Sequence, residues 1–381
     1  MYHIVGEGAL YELWGDRIVY RNLRPQDPRL PSFEELRREL PLRSPYLQRK
    51  TDLDYAVVVA ELLRRARQLD LPGGQVRRLV FIGDTRLLDG SAFHNLCEAG
   101  GWPGWAFIGR DEMAAARSVQ IEGRLYLANR WSLLAEFLEF IAGEGFGLDE
   151  GTAVVIDMDK TAVGARGRND TAIDEARLEG VRDTVAGLLG ADFDEMSFRA
   201  IYGELNRPQY HAFTADNQDY LAYICLMLGA GLYEYATLVR NVQSGALSSF
   251  DEFIRGVQGH RTELPSAGLR AIHEQVWGYF QAGDPTPFKT FRYNEYLATA
   301  RRFGGELDEA VESALKRRIL LTQEVKQAAE MLRGRGALVF GLSDKPDEAS
   351  LPTPEQAKGG MQPLHRLQTL CAEEGRVEWG Y

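Results

Sequence analysis

The stretch Val154-Val155-Ile156-Asp157-Met158-Asp159-Lys160-Thr161 decides the fold. Its apolar run has the length and β-branched content of a buried strand. The run stops at two carboxylates one residue apart, followed by a threonine. Asp157 and Asp159 cannot both sit in a core at the carboxyl end of a strand. In open α/β sheets that end is where ligands bind. Two carboxylates so close repel each other unless a cation or a shared proton intervenes. The pair therefore points to a metal, to catalysis, or to both.

Working upstream, Arg78-Leu79-Val80-Phe81-Ile82 is a second short buried strand, broken by Gly83-Asp84-Thr85. Asp54–Leu69 has the apolar spacing of a helix and is stopped by Pro72-Gly73-Gly74. Ser91–Ala99 reads as a helix, Trp105–Ile108 and Ile121–Leu127 as strands, and Trp131–Ala142 as an amphipathic helix. Ala9–Trp14 and Arg17–Tyr20 flank the turn signal Gly15-Asp16, which predicts a hairpin. Alternation of strands and helices implies an α/β domain with a mostly parallel, Rossmann-like sheet flanked by helices.

Downstream of Thr161 the pattern changes. Ile173–Leu189, Gln218–Leu238, Phe250–Val257, Ala267–Phe280 and Leu307–Leu332 carry helical periodicity, so 166–333 reads as an all-helical insertion. Strand character returns at Ala337-Leu338-Val339-Phe340, ahead of Gly341-Leu342-Ser343-Asp344-Lys345-Pro346, and Pro354–Glu373 reads as a closing helix. The α/β domain then comprises 1–165 and 334–381.

The net charge of −11 argues against nucleic acid, whose phosphates need a basic footprint. Cys97, Cys225 and Cys371 are scattered and odd in number, with no disulfide or metal spacing, which fits a cytoplasmic setting. Met1–Leu10 lacks the basic and apolar regions of a signal peptide. The apolar window Leu221–Val239 contains Glu234 and reads as a buried helix, so no membrane partner is expected.

Three strand ends now carry polar groups: Asp157, Asp159 and Thr161; Asp84 with Asp89; and Ser343. Lys50 stands just before the helix that leads to the Asp84 strand. Taken singly each has a bland reading as turn, cap or solvated charge. Together they resemble the four short motifs of the haloacid dehalogenase superfamily phosphatases. Asp157-Met158-Asp159-Lys160-Thr161 is similar to the first, Phe340-Gly341-Leu342-Ser343 to the second, Lys50 to the third, and Gly83-Asp84 followed by Asp89 to the fourth. The order is unusual: third, fourth, first, insertion, second. A circular permutation would produce it, and opening new termini at a surface is tolerated when the native termini lie close together. The alternative is that 1–150 is a separate domain and the true third and fourth motifs are lost.

The resemblance implies a Mg²⁺-dependent phosphohydrolase acting on a small-molecule phosphate ester. It assigns Asp157 as nucleophile and Asp159 as acid and base. Metal ligands would be Asp157, the Asp159 carbonyl and Asp84, while Asp89 holds metal-bound water or orients Lys50. Ser343 and Lys50 would contact the phosphoryl group or offset charge. The insertion would be a helical cap domain that excludes water and selects substrate; its size also allows a role in a homodimer. Thr161, Arg166 and Arg168, beside the entrance to that insertion, are the candidate substrate contacts. A phosphomutase, or a capped binding protein without turnover, would use the same residues.

Overall fold

The structure is a computed structural model and describes residues 1–44, 46 and 49–375. The chain forms two compact units, Met1–Glu175 with the chain from Thr299 onward, and Ala176–Ala298.

The first unit is α/β. Strands β1 (Tyr2–Gly8), β2 (Ile18–Val19), β3 (Arg78–Gly83), β4 (Gly104–Gly109), β5 (Val119–Glu122), β6 (Leu125–Ala128), β7 (Thr152–Asp157), β8 (Leu321–Thr322), β9 (Leu338–Leu342) and β10 (Thr369–Glu374) divide into two sheets. The larger has the order β2-β9-β7-β3-β4-β6-β5 and is parallel except at the β5–β6 hairpin. The smaller is β1-β10-β8.

Every residue of β7, and of its neighbour β9, is buried. This is what near-continuous apolar runs produce when helices cover both faces of a parallel sheet. Leu79, Phe81, Ala153, Val155, Leu338 and Phe340 alternate onto one face and join the core with Val58, Val59, Leu62 and Leu63 of the helix Leu53–Asp70. The helices Leu134–Gly143 and Gln323–Gly334 pack against each other, the latter also on β9. From β3 the chain runs outward to β4; from β7 it proceeds to β9 on the opposite side. The β3/β7 boundary is thus the topological switch point, where open α/β sheets form their binding crevice.

The second unit is helical. Its core joins Val181, Leu205, Phe213, Leu226, Phe253 and Val276, among others, from successive helices. Arg292 is buried there between two carboxylates, its Nε 2.8 Å from Asp219 and its Nη1 2.6 Å from Glu295. The apolar window at 221–239 is two helices, Gln218–Gly229 and Tyr235–Ser244, with Gly231 at φ 73° between them. Among the described residues no helix is long and apolar enough to cross a membrane.

The structure departs from the sequence expectations in four places. Ala9–Trp14 is not a hairpin arm: Tyr11–Trp14 is a short helix, because Leu10, Leu13 and Trp14 have helical spacing and are buried together. Ile121–Leu127 is a hairpin rather than one strand, with Gly123 at φ 59° in its turn. The closing helix ends at Lys358, where Gly359-Gly360 stop it, and Thr369–Glu374 is instead the central strand of the small sheet. Finally, the helical unit is Ala176–Ala298 rather than 166–333. The segment 299–333 returns to the sheet unit because Ile319–Thr322 supplies β8 beside β10 and the helix after it covers β9.

Candidate functional site

Register puts the polar groups together. Asp157, the last residue of β7, is opposite Leu342 of β9, and Ile156 is opposite Ile82 of β3. Asp84 and Ser343 therefore follow the ends of the two strands that flank Asp157. Carboxylate oxygens of Asp84, Asp89 and Asp157 all lie within 4.8 Å of one another, and all three residues are buried.

The loop after β3 is built around Asp89. Its Oδ2 accepts from the backbone N–H groups of Asp84 and Thr85, at 3.0 and 2.9 Å, and from the Thr85 hydroxyl at 2.9 Å. A Cβ on Gly83 would lie 2.6 Å from the Asp89 carboxyl carbon, so glycine is required before Asp84. The other Asp89 oxygen accepts from Lys50 Nζ at 2.7 Å, and Lys50 also donates to Asp157 at 2.5 Å. Lys50 is thus a buried bridge between Asp89 and Asp157.

The loop after β7 turns back on itself. Lys160 has φ 67°, a region costly for a residue with a Cβ. It is held there by Lys160 N–H donating to the Val163 carbonyl and Arg166 N–H donating to the Lys160 carbonyl, both at 2.8 Å. Asp159 stands on this loop, half-buried, and accepts from Lys345 Nζ at 3.3 Å. Ser343 is buried at the end of β9, and its hydroxyl accepts from the Lys345 N–H.

Burial governs the electrostatics. It pushes the Asp157 carboxyl well up, and the charges of Asp89 and Asp84 add to this against the pull of Lys50. Asp84 is raised to about 7 by burial and by Asp89, against the opposing effect of Arg166. Asp89 goes the other way: burial would raise it, but Lys50 and the backbone N–H donors outweigh burial and hold it low. For Lys50 burial works against the charge, and the two carboxylates more than offset it, leaving the ammonium firmly protonated.

The Asp84 shift has a testable sign. A carboxyl whose folded-state affinity for protons exceeds its unfolded one contributes stability that is fully present below the ordinary value of 3.8 and is lost as pH rises from there to about 7. In a chelator, Asp84→Asn is therefore expected to melt above the parent protein on the alkaline side of pH 7 and level with it only near or below the ordinary carboxylate value of 3.8. Thermal unfolding at the two conditions measures this; a variant less stable on the alkaline side would contradict it.

Two proposed substrate contacts take other places. Arg168 does not face a ligand: its side chain is 1% exposed and fully engaged. It donates to Asp111 at 2.8 Å, to both Glu324 oxygens at 2.8 and 2.9 Å, and to the Ala372 carbonyl at 2.8 Å. Thr161 is fully buried; its hydroxyl has no partner among the described residues, while its carbonyl accepts from Thr322. Arg166 does reach the site, where it donates to Asp84.

Sequence reasoning missed Lys345, because a Lys inside Ser-Asp-Lys-Pro looks like any solvated turn residue. It also missed Tyr55, whose buried hydroxyl lacks a partner among the described residues and feels the charges of Asp344, Lys50 and Asp157. Burial pushes the Cys97 thiol up to about 12 and the Cys371 thiol up to about 11, away from thiolate formation.

The donor set fits a hard cation. It is all carboxylate oxygen, buried and close-set, which is the donor chemistry hard cations take. Asp84 and Asp157 would hold such an ion, with Asp89 fixing both through its loop and Lys50. No protein-family model, no curated protein and no solved structure matches this chain.

Proposed function

We propose that the chain is a Mg²⁺-dependent phosphohydrolase of small phosphate esters that works through an aspartyl-phosphate on Asp157. The observation that carries this is the register of β3, β7 and β9, which brings Asp84, Asp157 and Ser343 to three neighbouring strand ends. The order of these motifs along the chain is then read as a circular permutation of the haloacid dehalogenase order. That idea required the Asp84 strand to lie close to Asp157, and β3 is the immediate neighbour of β7.

Charge supports phosphate as the ligand. Three cationic side chains, Lys50, Arg166 and Lys345, bond to four carboxylates, those of Asp84, Asp89, Asp157 and Asp159. A divalent ion held by Asp84 and Asp157 would add positive charge where an anionic phosphate approaches. When bound, that ion would offset the charge of the phosphoryl group as Asp157 approaches it.

An Asp157 oxygen would attack phosphorus and form the P–O bond as the ester P–O bond breaks. Asp159, on the adjoining turn, would give its proton to the departing oxygen and then take one from the water that attacks the aspartyl-phosphate. Lys345 beside Asp159 and Ser343 would hold the phosphoryl oxygens. Lys50 favours the ionised form of Asp157 against the effect of burial and fixes the position of its carboxylate.

The test is a panel of phosphorylated sugars, polyols and hydroxy acids with Mg²⁺, read as free phosphate. Release from at least one compound, abolished by a chelator, is expected. Phosphate release that survives complete chelation contradicts the cation's role. An isomerised phosphate ester in place of free phosphate would mark a mutase. Failure across the panel with Mg²⁺ still bound would mark a binding protein.

A further inference from the structure

We propose that Arg166 is an internal counter-cation that the metal displaces from Asp84, so that metal binding delivers a guanidinium to the anionic substrate. The proposal rests on the reading of Asp84 as a metal ligand and goes beyond it, because it couples the two binding events through one side chain.

The Asp84 side chain is 6% exposed, and Arg166 Nε is the cationic donor that reaches it. The same carboxylate cannot give its full charge to a guanidinium and to a divalent ion, and the two cations repel at such range. Metal-free, Arg166 offsets Asp84; with metal bound, that task is taken over and the ion pair loses most of its value.

The local architecture permits the side chain to move while the backbone stays. The Arg166 N–H donates to the Lys160 carbonyl at 2.8 Å, and the Arg166 carbonyl accepts from Asp111 N–H at 2.9 Å and Trp131 Nε1 at 3.2 Å. Gly167 follows at φ 78°, where a Cβ would lie 2.1 Å from the Asp111 carbonyl oxygen, and Arg168 is locked into Asp111 and Glu324. The Cα of Arg166 is therefore clamped from both sides. Its side chain is not: it is 33% exposed, only Nε is engaged, and both Nη groups lack a protein partner among the described residues. Those groups form one edge of a fork suited to a phosphate.

Displacement and delivery predict opposite effects of one substitution. Isothermal titration of the full-length protein with Mn²⁺, then with inorganic phosphate in the presence of Mn²⁺, measures both. In Arg166→Met, Mn²⁺ alone is expected to bind about tenfold tighter, because its competitor is gone. Phosphate on the Mn²⁺-loaded variant is expected to bind about tenfold weaker. Arg166→Lys, which keeps the charge, should restore much of both. An arginine that merely holds the loop would weaken both affinities on removal, and that outcome overturns the proposal. So does a Mn²⁺ affinity equal to that of the parent protein. Absence of Mn²⁺ binding in parent and variant alike would instead overturn the metal site itself.

Discussion

Asp157→Asn is expected to lower phosphate-ester turnover by at least on the order of 10⁴-fold, the scale on which loss of a covalent nucleophile is felt. The same change should leave the cation-free protein as stable as before or more so. Burial and the neighbouring charges of Asp89 and Asp84 raise the Asp157 carboxyl well above its ordinary value, so its ionised form is costly where it stands. An amide keeps the oxygen that accepts from Lys50 and removes the repelling charge. Loss of activity with retained or raised melting temperature is the signature of a residue kept for chemistry rather than for folding. Loss of both would mean that Asp157 is structural, and substantial remaining turnover would remove it from the nucleophile role. Thermal melts and phosphate release on the same preparations separate these outcomes.

Lys50→Met has the opposite profile. The ammonium is 5% exposed and bridges two carboxylates that are themselves buried. Removing one member of a buried ionic group leaves uncompensated charge behind, which typically costs about 3–5 kcal/mol. The variant is expected to unfold at clearly lower denaturant concentration and to lose activity. Two conditions should restore part of its stability. One is acid, which neutralises the stranded carboxylates; the other is a divalent cation, which replaces the missing positive charge. Denaturant titration with and without Mg²⁺ checks this. A variant as stable as the parent, or one indifferent to both conditions, would show that Lys50 does not carry the charge balance assigned to it.

Much of the sheet and its strand-end acids were legible because they rest on local rules. Apolar runs interrupted by Gly-Asp or Asp-x-Asp mark strand ends without reference to the rest of the chain. Lys50 was legible only through resemblance, since nothing near it in sequence announces that it bridges Asp89 and Asp157, which lie 39 and 107 residues away. What was misread depended on distant partners. β10 pairs with β1 at the other end of the chain, so no hairpin signal accompanies either strand. The helical unit was drawn too long because Leu307–Leu332 keeps an apolar pattern through a turn into β8; only the β10 partner shows that Leu321-Thr322 is extended. Arg168 was read as a candidate substrate contact because its partners Asp111 and Glu324 come from opposite sides in sequence. Its burial is also what fixes Arg166 two residues earlier, so a residue misjudged as a substrate contact is the anchor of one that reaches the site.

The central claim is that Asp157 carries the phosphoryl group. The most direct measurement is acid quench of the protein after brief exposure to acetyl phosphate with Mg²⁺, followed by peptide mass spectrometry. A phosphoryl adduct on Asp157, absent without Mg²⁺ and absent in Asp157→Asn, is the predicted result. An adduct on another residue, or phosphate release from a substrate with none formed at Asp157, would contradict it.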